Sequence, residues 1–388
     1  MLLPYTLKLA SKNMWRHRLR STLTVTGIAI AMISFGLLRT VVDAWYEGAA
    51  LASASRLITR NEVSLGFSLP LTYGERIRKT DGVAGVTWAN WFGGIYIDAK
   101  HRFPQFAVDA ASYFQLYPEY VFSDKEKSDF LRDRRGVVVG QKIAQEYGWK
   151  IGDTVPLKGT FYPGTWQFHV RGIYHGEDGK VDETQFLFHW DYLNETVKAL
   201  LPSRANSVGV FIVYLKNANA AATVSAAIDS TFKNSLAETR TETQKAFQLS
   251  FVAMVDTILV AIQTVAYVVI LIIMAVMANT MAMTARERTR EYATLKALGF
   301  HDSFVFMLIV GESMAIALVG GFAGVVLSFP LAKAFHQATG RLFMVFDITP
   351  TTIALQLAAA VLIGLCAAAV PAYSSSRIRI VDGLRAVA

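Results

Sequence analysis

The 388-residue sequence is poor in the groups from which most catalytic and disulfide-built proteins are made. It has one cysteine, Cys366, so no intramolecular disulfide can form. Its place in an apolar run predicts a packed, inert thiol. No GxxxxGK[ST] occurs. Gly179-Lys180 lacks both the upstream spacing and the hydroxyl residue, which excludes nucleotide binding through a P-loop. HExxH, CxxC and GxSxG are missing as well. His169, His175 and His189 lie close together in sequence, but their spacing fits no metal motif. They read as surface histidines, and no metal site is expected. The carboxylates between residues 46 and 250 are scattered, with no pair arguable as catalytic. In its own right the chain reads as non-catalytic.

What is present is apolar surface. Hydrophobic residues make up 53% of the chain, too many for an ordinary soluble protein. They concentrate in four runs. The first is 22–38, TLTVTGIAIAMISFGLL, preceded by Lys8, Lys12, Arg16, Arg18 and Arg20. The second, Phe251 to Ala285, holds one charge, Asp256; the third, 303–332, is interrupted only by Glu312; the fourth is 349–373. Each can cross a hydrocarbon core of ~30 Å, which needs about 20 apolar residues. Ala50-Leu51-Ala52 resembles a small-residue cleavage site, but it lies well beyond the first run, past Arg39 and Asp43, so a retained anchor is the better reading.

The net charge of +8 is carried by three short segments. Residues 46–250 hold 23 Lys+Arg against 22 Asp+Glu, whereas 1–20, 284–303 and 374–388 together hold 12 against 4. That is a positive-inside pattern, not a nucleic-acid footprint. It predicts a multi-pass protein of the inner (cytoplasmic) membrane. A cytoplasmic interfacial helix is expected over 1–20, with Leu3, Leu7, Ala10 and Met14 at helical spacing and Trp15 at the boundary. The first span and its stalk follow over 21–45, then an outer domain over 46–250. A second stalk and span are expected over 251–283, a cytoplasmic segment over 284–302 and a third span over 303–332. An outer loop, 333–348, a fourth span, 349–373, and a cytoplasmic tail, 374–388, complete the layout.

Residues 251–283 would form a helix of roughly 50 Å at ~1.5 Å per residue, longer than the bilayer core. Near Asp256 and Gln263 it would project as a stalk, as would the first helix through Glu47. The outer domain is α+β in pattern. GVVVG (136–140), WQFHVRGIY (166–174) and SVGVFIVYLK (207–216) read as strands, while QKIAQEYGW and NAAATVSAAIDSTFKNSL read as helices. Gly152-Asp153 and Pro163-Gly164 mark turns.

Between the second and third runs lies TARERTREYATLKALGF, 284–300, with Arg286, Glu287, Arg288, Arg290, Glu291 and Lys296. It has good helix formers and no proline, so it reads as a short helix that leans on something else. Charges of alternating sign can pair with a partner, and Tyr292, Leu295 and Leu298 at three-residue spacing offer an apolar strip to bury. In the third run, Glu312 is costly in a membrane; it reads either as a functional site or as a hydrogen-bonding group for a neighbouring helix. Gly320, Gly321 and Gly324 form a small-xxx-small patch for close helix packing. Gly27 and Gly36 fit either dimer contact or packing within the chain.

The block Arg286-Glu287-Arg288, Glu291 and Leu295-Lys296-Ala297-Leu298-Gly299 closely resembles the coupling segment of FtsX-like (MacB-like) ABC transporter permeases. NMWRHRLRSTLTVTGIAIA is similar to the family's approach to its first helix. GVVVGQKIAQEYGWKIGDTVPLKG followed by WQFHVRGIY is similar to its periplasmic core domain. The ending matches in Pro371-Ala372 and Leu384-Arg385, with Ile380 and Val381 where a proline is usual.

The resemblance implies an α-helical integral membrane protein with four transmembrane helices plus an α+β extracytoplasmic, MacB-like periplasmic core domain. It implies that the 284–302 segment docks on a separate cytoplasmic ABC ATPase, with Arg286, Glu287, Arg288, Arg290, Glu291, Tyr292, Leu295, Leu298 and Gly299 as the coupling residues. ATP and Mg would be bound by that ATPase, with no cofactor in this chain. A second permease copy or paralogue would complete a dimer. The output it favours is mechanotransmission in efflux with a periplasmic adaptor and an outer-membrane channel. Lipoprotein release and control of a cell-wall hydrolase are the alternatives, and a membrane-anchored sensor is the reading of a different class.

Overall fold

The computed structural model describes residues 18–50, 53–98, 101, 103–177, 181–339 and 346–380. The helix expected over 1–20 lies outside the described residues up to position 17, as do Val381, Leu384 and Arg385 of the tail. The chain divides into two compact units, one made by the residues before 46 and from 254 onward, the other by Tyr46–Ala253.

The inserted unit is built on a mixed eleven-stranded sheet. Strand Gly136–Gly140 lies between Phe186–His189, antiparallel, and Gly164–Gly176, parallel, and all five of its residues are buried. An unbroken valine run is what a strand covered on both faces requires. Gly164–Gly176 instead alternates, with Trp166, Phe168, Val170 and Tyr174 buried and Gln167, His169, Arg171 and Ile173 more exposed. The strand expected over 207–216 is interrupted at Gly209. Ser207–Val208 pairs with Leu69–Pro70 in a separate small sheet, while Val210–Leu215 enters the main one. A Cβ at Gly209 would lie 3.1 Å from the Ala89 carbonyl oxygen, so the crossing is close-packed there.

Several strands are not among those read from the sequence, including Val83–Trp91, Gln105–Val108, Thr154–Gly159 and Phe186–His189, and two of them bear on how the chain enters and leaves this unit. Arg56–Asn61 pairs antiparallel with Thr239–Thr243, Leu57 opposite Thr243 and Asn61 opposite Thr239. The strand that follows the first long helix and the strand that leads to the last three therefore lie side by side. Arg56, 6% exposed, fastens the junction. Its Nε donates to Gln244 Oε1 at 2.8 Å, Nη1 to the Leu116 carbonyl at 3.0 Å and Nη2 to Glu119 Oε1 at 2.5 Å, and it stacks 4.1 Å above the Tyr117 ring. Burial pushes the Tyr117 hydroxyl up to about 12.

The other unit holds four helices long and apolar enough to cross a membrane: Arg18–Ala50, Asp256–Glu287, Asp302–Thr339 and Pro350–Ser376. The single helix expected over 251–283 is instead two, Gln244–Met254 and Asp256–Glu287. Val255, at φ −108° and ψ 5°, separates them, and Asp256 places a carboxylate at the positive end of the second. The third and fourth helices run beyond the expected limits and contain Pro330 and Pro371.

The glycine patch is the contact seam of this unit. A Cβ on Gly320 would lie 2.8 Å from Ile28 Cβ, one on Gly324 2.6 Å from Met32 Cβ, and one on Gly321 2.5 Å from Ala360 Cβ. The third helix therefore meets the first and fourth at backbone distance. Gly27 and Gly36 also face this chain, toward Ile273 and Gln356. Gln356, fully buried, donates to the Met32 carbonyl at 2.7 Å and to Ser328 Oγ at 3.1 Å.

Two expectations are corrected. Cys366 is exposed: it lies on a face of the fourth helix that this chain's other helices leave uncovered. His189 is buried, 4% exposed, at the end of strand Phe186–His189, where its Nε2 donates to the Phe130 carbonyl at 2.7 Å. Among the described residues no cluster of metal ligands occurs.

Candidate coupling site

The second long helix stops at Glu287 because Arg288 leaves helical geometry, at φ −102° and ψ 11°. A nine-residue helix, Thr289–Ala297, follows at once. It ends in a Schellman turn: Gly299 N–H donates to the Lys296 carbonyl at 3.0 Å and Phe300 N–H to the Leu295 carbonyl at 3.2 Å. Gly299 has φ +92°, a conformation that only glycine takes without strain. The Leu298-Gly299 pair is thus a helix stop, and the third long helix begins three residues on.

Four of the six charges of this segment are engaged with the chain's own helices. Glu287 receives both guanidinium nitrogens of Arg20 on the first helix, at 2.7 and 2.8 Å. Arg288 Nη1 donates to Glu312 Oε2 of the third helix at 2.6 Å, and its Nε to Glu291 Oε2 at 3.0 Å. Lys296 Nζ donates to the Ser376 and Ile378 carbonyls, each at 2.9 Å, and meets Asp302 Oδ1 at 2.8 Å. These bonds use all three ammonium donors and satisfy the fraying end of the fourth helix.

The apolar strip is divided. Tyr292 is 1% exposed and sits in the cluster of Met281, Ala285, Val305 and Leu308, with Leu295 half-buried against it. Positions 292 and 295 share the helix face that packs on the long helices, while Leu298, beyond the last turn, is 72% exposed. Burial raises the Tyr292 hydroxyl to about 12, even with the Arg288 guanidinium opposing the shift from 5.6 Å above the ring. The outward face is what remains: Arg290, Thr294 and Ala297 at i, i+4 and i+7, flanked by Arg286 and closed by Leu298 and Phe300. It carries positive charge and an apolar tip.

Glu312 and Arg288 were read separately from the sequence and meet here as one ion pair, their side chains 6% and 8% exposed. Two further tie points escaped that reading. Arg20 sits in the first basic segment and Lys296 reaches backbone carbonyls, so neither partner is visible as a spacing.

Residues 264–380 match the FtsX-like permease C-terminal family, and residues 21–231, more than half of the chain, match the MacB-like periplasmic core domain. An uncharacterized ABC transporter permease of Methanocaldococcus jannaschii is 25% identical over 97% of this chain and 96% of its own length. A macrolide export ATP-binding/permease protein MacB of a Shewanella species is 29% identical over 33% of this chain; the match spans 19% of that relative. The periplasmic region of MacB from Actinobacillus actinomycetemcomitans superposes with a TM-score of 0.38 at 12% identity, covering 53% of this chain and 97% of that one.

Proposed function

The chain belongs to the FtsX-like, MacB-like family of ABC transporter permeases, a multi-pass membrane protein with an extracytoplasmic domain, and from that premise we propose that segment 284–300 is its docking site for a separate ATPase. The observation that carries the reading is the division of labour within the segment. Its inward face is committed to the first, third and fourth helices by Glu287, Arg288, Tyr292 and Lys296. Its outward face, Arg286, Arg290 and Leu298, is left for another surface. A loop that only joined two spans would need neither the anchors nor the capped helix. The partner groove would supply carboxylates opposite the two arginines and an apolar pocket for Leu298.

In this reading the segment lies on the cytoplasmic side of an inner membrane, with both termini. ATP and Mg belong to the partner, and two permease copies complete the assembly. The work delivered to the extracytoplasmic domain is efflux with an adaptor, supported by the match of that domain to the MacB-like core. The test is purification of the full chain from native membranes in mild detergent. A stoichiometric P-loop ATPase is the expected companion, and an adaptor beside it supports efflux. A lipoprotein or a wall hydrolase in the adaptor's place redirects the output, and absence of any ATPase overturns the reading in favour of a sensor.

A further inference from the structure

The three tie points of the docking segment differ in how easily water can replace them. Arg20 and Glu287 keep 29% and 37% of their side-chain surface exposed, so that pair is half solvated. Lys296 holds mainly backbone carbonyls at the end of a helix, which water satisfies readily. Only Arg288–Glu312 is dry on both sides, at 2.6 Å. Glu312 lies ten residues into the third helix, roughly 15 Å along its axis at ~1.5 Å per residue. Separating this pair would take the buried Glu312 carboxylate from its arginine and leave Arg288 to the half-exposed Glu291, a costly way to disturb an ion pair away from water. Arg288 also occupies the backbone break between the second long helix and the docking helix, the place where the two could otherwise bend independently.

We propose that Arg288 and Glu312 form a latch that makes the docking helix and the third spanning helix move as one body, so that partner-driven motion reaches the membrane through the third helix. The break at Arg288 lets the docking helix turn relative to the second helix, while the ion pair holds it to the third. Tyr292, in the same buried apolar cluster as Val305 and Leu308 at the start of the third helix, supports the junction from the apolar side. Arg288 and Glu312 are both positioning residues, acting through the docking helix and the third helix that they join. The inference rests on the docking role proposed above, yet the latch itself can be tested without the partner.

The experiment places spin labels at the half-buried Thr289, the first residue of the docking helix and not one of its outward docking residues, and at the exposed Val319 on the third helix, in a full-length Cys366→Ser background in nanodiscs. Three forms are compared: the unaltered pair, Glu312→Ala, and the double variant Arg288→Met with Glu312→Met. The double variant matters because replacing a buried pair by apolar side chains usually preserves stability, so it removes the latch while keeping the fold. With the pair intact, one narrow Thr289–Val319 distance is expected, unchanged when a bound ATPase is trapped with ATP and vanadate. In the double variant the distribution broadens at rest, and ATP-driven displacement of the third helix falls about tenfold while ATPase retention stays unchanged. A double variant whose distance stays narrow and whose third helix still follows the partner overturns the latch. Loss of ATPase from the unaltered chain would overturn the docking role instead, and the resting distances would still judge the latch.

Discussion

The two units of this protein bury their interiors by opposite means. The extracytoplasmic domain packs large rings: Phe92 lies 5.2 Å from both Trp166 and Phe188, edge to face, and Phe168 lies 4.7 Å from Phe188. The helical unit packs Gly320, Gly321 and Gly324 against Ile28, Ala360 and Met32, with a buried Gln356 between helices. Water drives large apolar surfaces together, so bulk is effective in a domain that folds in it. In lipid a large side chain gains nothing by leaving the solvent, and close backbone approach with interhelical hydrogen bonds takes over. The buried arginines differ in the same way. Arg56 spreads its bonds over a carbonyl, an amide, an aromatic face and the 21% exposed side chain of Glu119, whereas Arg288 relies on carboxylates, one of them as dry as itself.

That contrast predicts unit-specific damage. The largest effect is expected from Phe92→Ala, about 3–5 kcal/mol off the extracytoplasmic domain. Its melting followed by near-UV circular dichroism should fall while the helical signal persists; joint loss of both would merge the units into one cooperative block. Gly324→Leu should do the reverse at about 3 kcal/mol, because even a Cβ there meets Met32 Cβ at 2.6 Å. Detergent thermostability of the helices should drop with the domain's melting intact, and unchanged helix stability would refute the seam. Arg56→Met should cost about 2 kcal/mol by stranding the Leu116 carbonyl and Gln244. Protease cleavage near residues 244–254 should rise, and resistance equal to the unaltered chain would count against the clasp. Gly299→Ala, straining φ +92°, should cost about 1 kcal/mol and be read as weaker ATPase retention.

A smaller effect concerns pH. Burial holds His189 below its ordinary value of 6.5, with the bond to the Phe130 carbonyl only partly offsetting it. The unfolded chain therefore binds the proton more readily. This contribution is complete above pH 6.5 and is lost as pH falls through the ordinary value toward the depressed one. The domain's melting temperature should fall between pH 7 and 5, and His189→Gln should flatten that slope. An unaltered slope in the variant would assign the pH dependence to other groups.

Much of this was legible beforehand. The four apolar runs, the unbroken valine strand and the alternating 166–174 segment are local signals, each carried by the length or alternation of its own residues. The strands Arg56–Asn61 and Thr239–Thr243 were not legible, because RLITRN and TRTET are short and rich in polar residues and become strands through their neighbours, Arg56–Asn61 between Val210–Leu215 and Thr239–Thr243 and the latter at the sheet edge. Within the candidate site, the segment and the costly Glu312 stood out, but their pairing did not. It depends on the backbone break at Arg288 and the turn at Gly299, which together fold residue 288 back onto residue 312. Tyr292 was assigned to the outward strip for the same reason: three-residue spacing says which residues share a face, and not which way the face looks.

In the docking role proposed above, the segment meets its ATPase through the outward arginines and not through the charges it keeps for itself. The direct measurement is the amount of ATPase that co-purifies with full-length chain carrying Arg286→Glu and Arg290→Glu, set against Glu287→Gln. The double reversal is expected to lower the co-purifying ATPase at least about tenfold while insertion and domain folding are unchanged, and Glu287→Gln is expected to retain it. Full retention in the double reversal, or loss confined to Glu287→Gln, would contradict it.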